Sequence, residues 1–250
     1  ILRQFFYRGR KEKNWSSSAI IHHRKNLSPF FRWCVKKELL AENPFKNIEK
    51  PRMEFKLPEF YSDAEIEKIM YHIHEHPYPS EYLRKRNYAL VALFLMTGLR
   101  RNEFIGLKLM DVNLEENNLV VRAGNSKSKR DRIIPLSQRL RDILVTYLAE
   151  RKKLQKTTLS FFASFNRDMG FTQNGLKHLL DKLQSETGIH IHAHKFRHTF
   201  ATKSLESNIN LNTVKELLGH TDIKTTAIYL HTTVKHLQEE IEKNKLNCLI

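Results

Sequence analysis

HKFRHTFAT at 194–202, followed by LLGH at 217–220 and TTAIY at 225–229, is the stretch on which the reading of this 250-residue chain turns. It sets histidines, an arginine and a tyrosine, all suited to phosphate chemistry, at short intervals. Phe196 and Phe200 are four apart and share a helix face that is expected to pack inward. His194 and Arg197, three apart, share another. Such a helix is built to present an imidazole–guanidinium pair. The competing reading, a surface salt-bridge face, lacks a carboxylate near Arg197 until Glu206. His198, one residue past Arg197, is expected to point elsewhere. Leu211, Val214, Leu217 and Leu218 predict an amphipathic helix that stops at Gly219, a natural residue just past a helix end. That leaves His220 exposed at the helix terminus. Thr221 or Asp222 can cap a further helix carrying Tyr229, a position that on its own reads more readily as packing than as chemistry.

Charge narrows the partner. Lys and Arg total 43 against 27 Asp and Glu, a formal net charge of +16. Self-repulsion of that size opposes compaction, so a polyanion is expected, with nucleic acid ahead of a ribosomal or membrane-surface role. The two cysteines, Cys34 and Cys248, make no metal-type pair and fit a reduced intracellular setting. No apolar run approaches the roughly 18 residues of a membrane span, so a soluble cytoplasmic protein is expected. The chain starts at Ile1 inside a helical pattern, as if something upstream were missing.

Residues 1–56 hold 14 Lys or Arg and 5 acidic residues. Ser16, Ser17 and Ser18 offer capping hydroxyls to a segment with Ile20, Ile21 and Leu27. Pro29 is expected to interrupt it before a second helix with Phe30, Phe31, Trp33, Val35, Leu39 and Leu40. That aromatic stripe reads as core, and Arg24, Lys25, Arg32, Lys36 and Lys37 on other faces read as phosphate grips. NPFKNIEKPRMEFKLP at 43–58 has linker composition, which places a boundary near residue 57 and gives domains of 1–57 and 58–250. Ser62 and Glu65 have capping-box spacing. His72, His74 and His76, beside Pro77 and Pro79, read as loop residues and not as ligands. A largely apolar helix over 84–97 stops at Gly98, and a short helix with Phe104, Ile105 and Leu107 follows. LVVRA at 119–123 and RIIPL at 132–136 predict two strands joined by a charged hairpin tip that includes Lys129 and Arg130. Helices are expected at 137–155 and 172–186. The fold class is therefore mainly α with a small antiparallel sheet, an α+β unit behind a partial helical N-terminal unit. Thr172, Gln173, Asn174 and Lys177, at the start of a helix, suit a major-groove reader.

From about residue 43 onward the chain resembles the tyrosine recombinase family of site-specific DNA recombinases and integrases. The resemblance rests on five blocks in the family's order: TGLRRNEF at 97–104, SKSKRDRIIPL at 126–136, HKFRHTFAT, LLGHTD at 217–222 and TTAIYLH at 225–231. It implies catalytic roles for Arg100, Lys127, His194, Arg197 and His220, with Tyr229 as nucleophile, and a supporting ion pair from Glu103 to Arg100. Lys127 is favoured over Lys129 by counting back from RIIPL. The resemblance further implies a covalent 3′-phosphotyrosine, a phosphate hydrogen bond from His220, and no need for metal or ATP. The partner would be a double-stranded recombination site. A C-terminal helix with Val234, Leu237, Ile241 and Leu246 would dock on a neighbouring protomer and link four subunits. Two alternatives remain. His190, His192 and His194 alternate and could line one side of an extended segment, as in a metal-dependent nuclease, although no Asp, Glu or Cys stands at ligand spacing. A DNA-binding protein that has lost catalysis is the other, and no expected position is empty to support it.

Overall fold

The computed structural model describes residues 2–46, 48–52, 57–125 and 130–229. They form two compact units, Ile1–Lys56 and Leu57–Ile250. Lys127, Lys129 and the segment 234–250 lie outside the described residues.

In the first unit, helices α1 (Leu2–Lys11) and α2 (Ser17–Lys36) pack around Phe6, Ile20 and Phe45. The Ser16 hydroxyl caps α2 by accepting from the Ala19 amide. The expected break at Pro29 does not occur, and α2 runs straight through it. An interior proline costs about 3 kcal/mol, and packing of Ile20, Leu27 and Phe31 along one side of the same helix offsets it. The aromatic stripe is not all core: Phe30 and Trp33 are 56% and 50% exposed and stack on each other. Arg24 also differs from the phosphate-grip reading. Its guanidinium donates to the Ile48 and Phe45 carbonyls and lies over the Phe45 ring, so it fastens the chain after α2 to that helix. Lys25, Lys36 and Lys37 remain exposed.

The second unit is built on α4 (Glu81–Thr97), whose Ala89–Phe94 run is buried on every side. Around it lie α3 (Asp63–Glu75), α6 (Gln138–Lys153) and α8 (Ala193–Glu206). Serine 62 and Glu65 cap α3 reciprocally. Helix α3 carries His72 and His74, and His76 is its C-cap, so these are not loop residues. Buried Ile69 and Ile73 hold the extra turn in place. His72 and His76, one turn apart, face Glu186 at 2.9 and 4.0 Å, and among the described residues these three alone form a His/Cys/Asp/Glu group of metal-ligand size.

Helix α5 (Arg101–Ile105) leads to an antiparallel sheet of β1 (Val112–Asn113), β2 (Asn118–Val121) and β3 (Arg132–Pro135), in that order. Leu119 pairs with Ile134 and Val121 with Arg132. Helices α7 (Gln173–Thr187), α9 (Leu211–Leu218) and α10 (Lys224–Ala227) complete the unit. The fold is mainly helical with one small antiparallel sheet, as the sequence implies. No described helix is long and apolar enough to cross a membrane.

Candidate active site

The site is assembled on the C-terminal end of α9. The last carbonyls of a helix have no partner within it and carry the negative end of the helix dipole. Here three of them receive arginines: Leu217 accepts from Arg132 Nε at 2.9 Å, Leu218 from Arg197 Nη2 at 2.7 Å, and Gly219 from Arg100 Nη2 at 3.1 Å. Gly219 ends the helix at φ +65°, a conformation that only glycine adopts at no steric cost. A side chain there would also meet the Arg132 guanidinium at 3.1 Å. Gly98 does the same for α4, at φ +61°, and its carbonyl accepts from Arg197 Nη1 at 2.8 Å. Two helix-terminal glycines thus aim carbonyls at guanidinium groups.

A buried carboxylate binds two of these arginines. Glu103 accepts from Arg100 Nη1 at 2.8 Å and from both terminal nitrogens of Arg132, at 3.0 and 2.7 Å. It also accepts from the Arg100 backbone amide at 2.9 Å, at the start of α5. Burial alone would raise its pKa. The hydrogen bonds and charge of Arg132, joined by the backbone and side chain of Arg100, outweigh burial and bring it down to about 2. Arg132 is a member that sequence reading missed. The signal was available: residues alternate across a strand, so Arg132 shares the inward face of β3 with buried Ile134.

Helix α8 carries the next groups. Phe196 is fully buried, stacked on Phe94 with centroids 5.8 Å apart and tilted against Tyr61. Phe200 does not share that core. It joins a second cluster with Ala201, Leu205, Val214, Leu218 and Tyr229. Arg197 is buried, and burial together with the charge of Arg100 lowers it to about 9, so it stays a cation at neutral pH. Its Nη2 lies 2.8 Å from His220 Nε2. Arginine can only donate, so Nε2 of His220 is the acceptor and Nδ1 carries the proton, donated to Thr226 Oγ1 at 2.8 Å. Burial and the charges of Arg197, Arg100 and Arg132 push His220 down to about 3, keeping it neutral. The phosphate hydrogen bond expected from His220 is therefore not on offer in this state, because its inward nitrogen faces a donor.

Tyr229 sits in a turn just beyond α10, not on a helix, and the N-cap position of α10 is Ile223. The residue is 3% exposed. Burial raises its pKa, and Arg197 and Arg100 oppose the rise. The hydroxyl lies 2.8 Å from His198 Nδ1. His198 therefore does not point elsewhere. It follows His194 by four residues and shares its face, with the two rings stacked at 6.1 Å.

Arg100, His194, Arg197, His198, His220 and Tyr229 line one cleft of about 950 Å³. His194 is exposed at its rim. His192 caps α8 by accepting from the Lys195 amide at Nδ1, and His190, His192 and His194 do not form a metal-sized group. Of the residues read as base-readers, Thr172 uses its hydroxyl to cap α7 and Gln173 bonds Asn102. Asn174 and Lys177 are exposed, Lys177 on the cleft wall. Arg130 is exposed two residues before β3.

Guanidinium groups fixed by carbonyls beside a buried phenol suit a phosphodiester under attack, and the class this fold and cleft define is a DNA strand-transfer enzyme. The chain belongs to the phage integrase family, whose family model matches residues 59–236, and it is a tyrosine site-specific recombinase. It is similar to tyrosine recombinase XerC of Lacticaseibacillus casei (strain BL23), 30% identical over 238 residues that cover 93% of this chain and 78% of that protein. XerC of Listeria welshimeri is 28% identical over 240 residues, covering 94% and 78%. Among solved structures, it is similar to XerH site-specific recombinase bound to palindromic difH substrate in a post-cleavage complex, at 25% identity and TM-score 0.75, covering 94% of this chain and 69% of that one. The crystal structure of XerA recombinase matches at 25% identity and TM-score 0.63, covering 98% and 82%.

Proposed function

We propose that the cleft cleaves and rejoins DNA strands with Tyr229 as nucleophile, giving a covalent 3′-phosphotyrosine and a 5′-hydroxyl. The observation that carries this reading is the joint placement of Arg100 and Arg197 on the end of α9 with Tyr229 lining the same cleft. A phosphodiester under attack gathers negative charge on its non-bridging oxygens, so fixed guanidinium groups stabilise it without reorganising. The phenol needs that help, because burial holds its proton on. His220, neutral and accepting from Arg197, orients that arginine. His194, at the rim, contacts the phosphate, and Lys127 protonates the leaving 5′-oxygen. Bond energy is conserved through the covalent link, so neither metal nor ATP is consumed.

The XerH structure is described as a complex with its difH substrate, which supports a duplex recombination site as the partner here. Lys25, Lys36, Lys37 and Arg130, all exposed, are the phosphate contacts, and Gln173, Asn174 and Lys177 the base-reading ones. The segment 234–250 docks on a neighbouring protomer in a tetrameric synapse, and the reaction takes place in the cytoplasm. Tyr229→Phe tests the core of the proposal. It should bind DNA as the parent does and give no adduct stable to SDS, and an adduct that persists would remove Tyr229 from the nucleophile role.

A further inference from the structure

A nucleophilic tyrosine must shed its proton, and the structure shows an imidazole nitrogen within hydrogen-bond distance of that hydroxyl. Nδ1 of His198 lies 2.8 Å from the Tyr229 hydroxyl, with the rings 5.6 Å apart. Nothing in the family blocks assigned His198 a part. His194, the histidine that the resemblance places in catalysis, is exposed one turn earlier on α8 with its ring 6.1 Å from that of His198.

We propose that His198 is the proton acceptor for Tyr229 in strand cleavage and the donor that returns the proton in rejoining. The proposal rests on Tyr229 being the nucleophile. As the Tyr229 oxygen bonds to phosphorus, its O–H bond breaks and the proton passes to Nδ1 of His198. The bond from phosphorus to the 5′-oxygen breaks, and that oxygen takes a separate proton from an acid on the opposite side. Rejoining is the same path reversed: the 5′-hydroxyl attacks, and the imidazolium of His198 protonates the departing Tyr229 oxygen. The balance needs no other reactant.

The surroundings of His198 fit this task. Burial and the charges of His194, His192 and Arg197 push it down to about 4, so it is neutral and able to accept a proton at physiological pH. The same electropositive cleft, with Arg100 and His220 also facing it, disfavours an imidazolium until a phosphate brings negative charge. Proton acceptance is thereby tied to DNA being in place. Thr199 and Phe196 on the same helix are buried in the core, which fixes the imidazole against the phenol.

The test uses the full chain on nicked duplexes carrying the sequence recovered from the wild-type covalent adduct. His198→Gln retains hydrogen-bonding groups near the phenol but cannot take its proton. It should lower single-turnover adduct formation by about 10²- to 10⁴-fold, the range for a positioned acid or base, with DNA affinity unchanged. A duplex with sulfur in place of the bridging 5′-oxygen needs no leaving-group acid. It should leave the Gln variant slow while restoring Lys127→Ala. The wild-type rate on that duplex should level off once His198 is neutral in the complex, and the Gln variant's should go on climbing with pH as phenolate forms. Wild-type-like rates in His198→Gln, rescue by the sulfur substrate, or an unchanged pH profile would each overturn the proposal. Should His198→Gln not fold, His198→Ala with added imidazole decides: acceleration by imidazole supports the assignment and indifference to it refutes it. Failure of the nucleophile reading itself would show separately, as an adduct formed by Tyr229→Phe.

Discussion

Glu103→Gln perturbs the site through a residue that touches no substrate. Its carboxylate is fully buried between Arg100 and Arg132, and its pKa is depressed from 4.5 to about 2. At 1.36 kcal/mol per pKa unit, that is about 3 kcal/mol of preference for the charged form in the folded state. Breaking a buried ion pair from one side costs about 3–5 kcal/mol by a separate route, and the two figures agree in order of magnitude. Glutamine fills the space but turns amide N–H groups toward guanidinium N–H groups. A loss near 3 kcal/mol should lower the melting temperature by roughly 6–12 °C for a unit of this size. The sign of the pH dependence follows from the depressed pKa. The contribution is complete above about pH 4.5 and is lost as pH falls toward 2. The stability gap between parent and variant, measured by denaturant titration, should be constant from pH 5 to 8 and close at lower pH. Loss of the Arg100 anchor should also slow cleavage by about 10²-fold, the effect of a misplacement near 1 Å. A gap under about 0.5 kcal/mol at pH 7, or one that stays constant down to pH 3, would refute the reasoning.

Other predictions follow from the same geometry. Arg197→Lys keeps the charge but cannot serve the Gly98 and Leu218 carbonyls and His220 together, so adduct formation should fall by at least about 10²-fold with little change in DNA affinity. Gly219→Ala places a Cβ at φ +65° against Arg132. It should cost about 1–2 kcal/mol in a melt, and full parental stability would contradict the left-handed helix end. Histidines 198 and 220, lowered to about 4 and 3, take up protons near pH 6.5 only when the chain unfolds. Stability should therefore drop as pH falls below about 6.5, by at most about 1.4 kcal/mol per pH unit for each histidine. A double replacement of both should flatten that slope.

What the sequence made legible was local. The apolar run ending at Gly98, the Ser62–Glu65 cap, the Thr172 cap and the paired strands around residues 119 and 134 all have signals within a turn or a hairpin. The unit therefore emerges as mainly helical from residue patterns alone. The clasp of α9 by arginines was not legible, because its bonds join residues 85 and 119 positions apart and no periodicity encodes them. Arg132 gave a usable hint, as a charge on the inward face of a strand. His198 gave another, as the residue one turn after His194 on the same helix face. Phe196 and Phe200 obeyed the helical repeat yet entered different cores, since the packing partner of each face is chosen by the tertiary fold. Pro29 misled for the same reason: packing along α2 outweighs a local breaker.

The central claim is that Tyr229 carries the DNA. Incubating the full chain with fragmented duplex DNA, trapping the adduct in SDS, and digesting both polymers leaves a nucleotide-bearing peptide for mass spectrometry. The account predicts one modified peptide, with the nucleotide attached through its 3′-phosphate to the oxygen of Tyr229. A nucleotide on any other residue, a 5′-phosphate linkage, or cleaved DNA with no protein attached would contradict it.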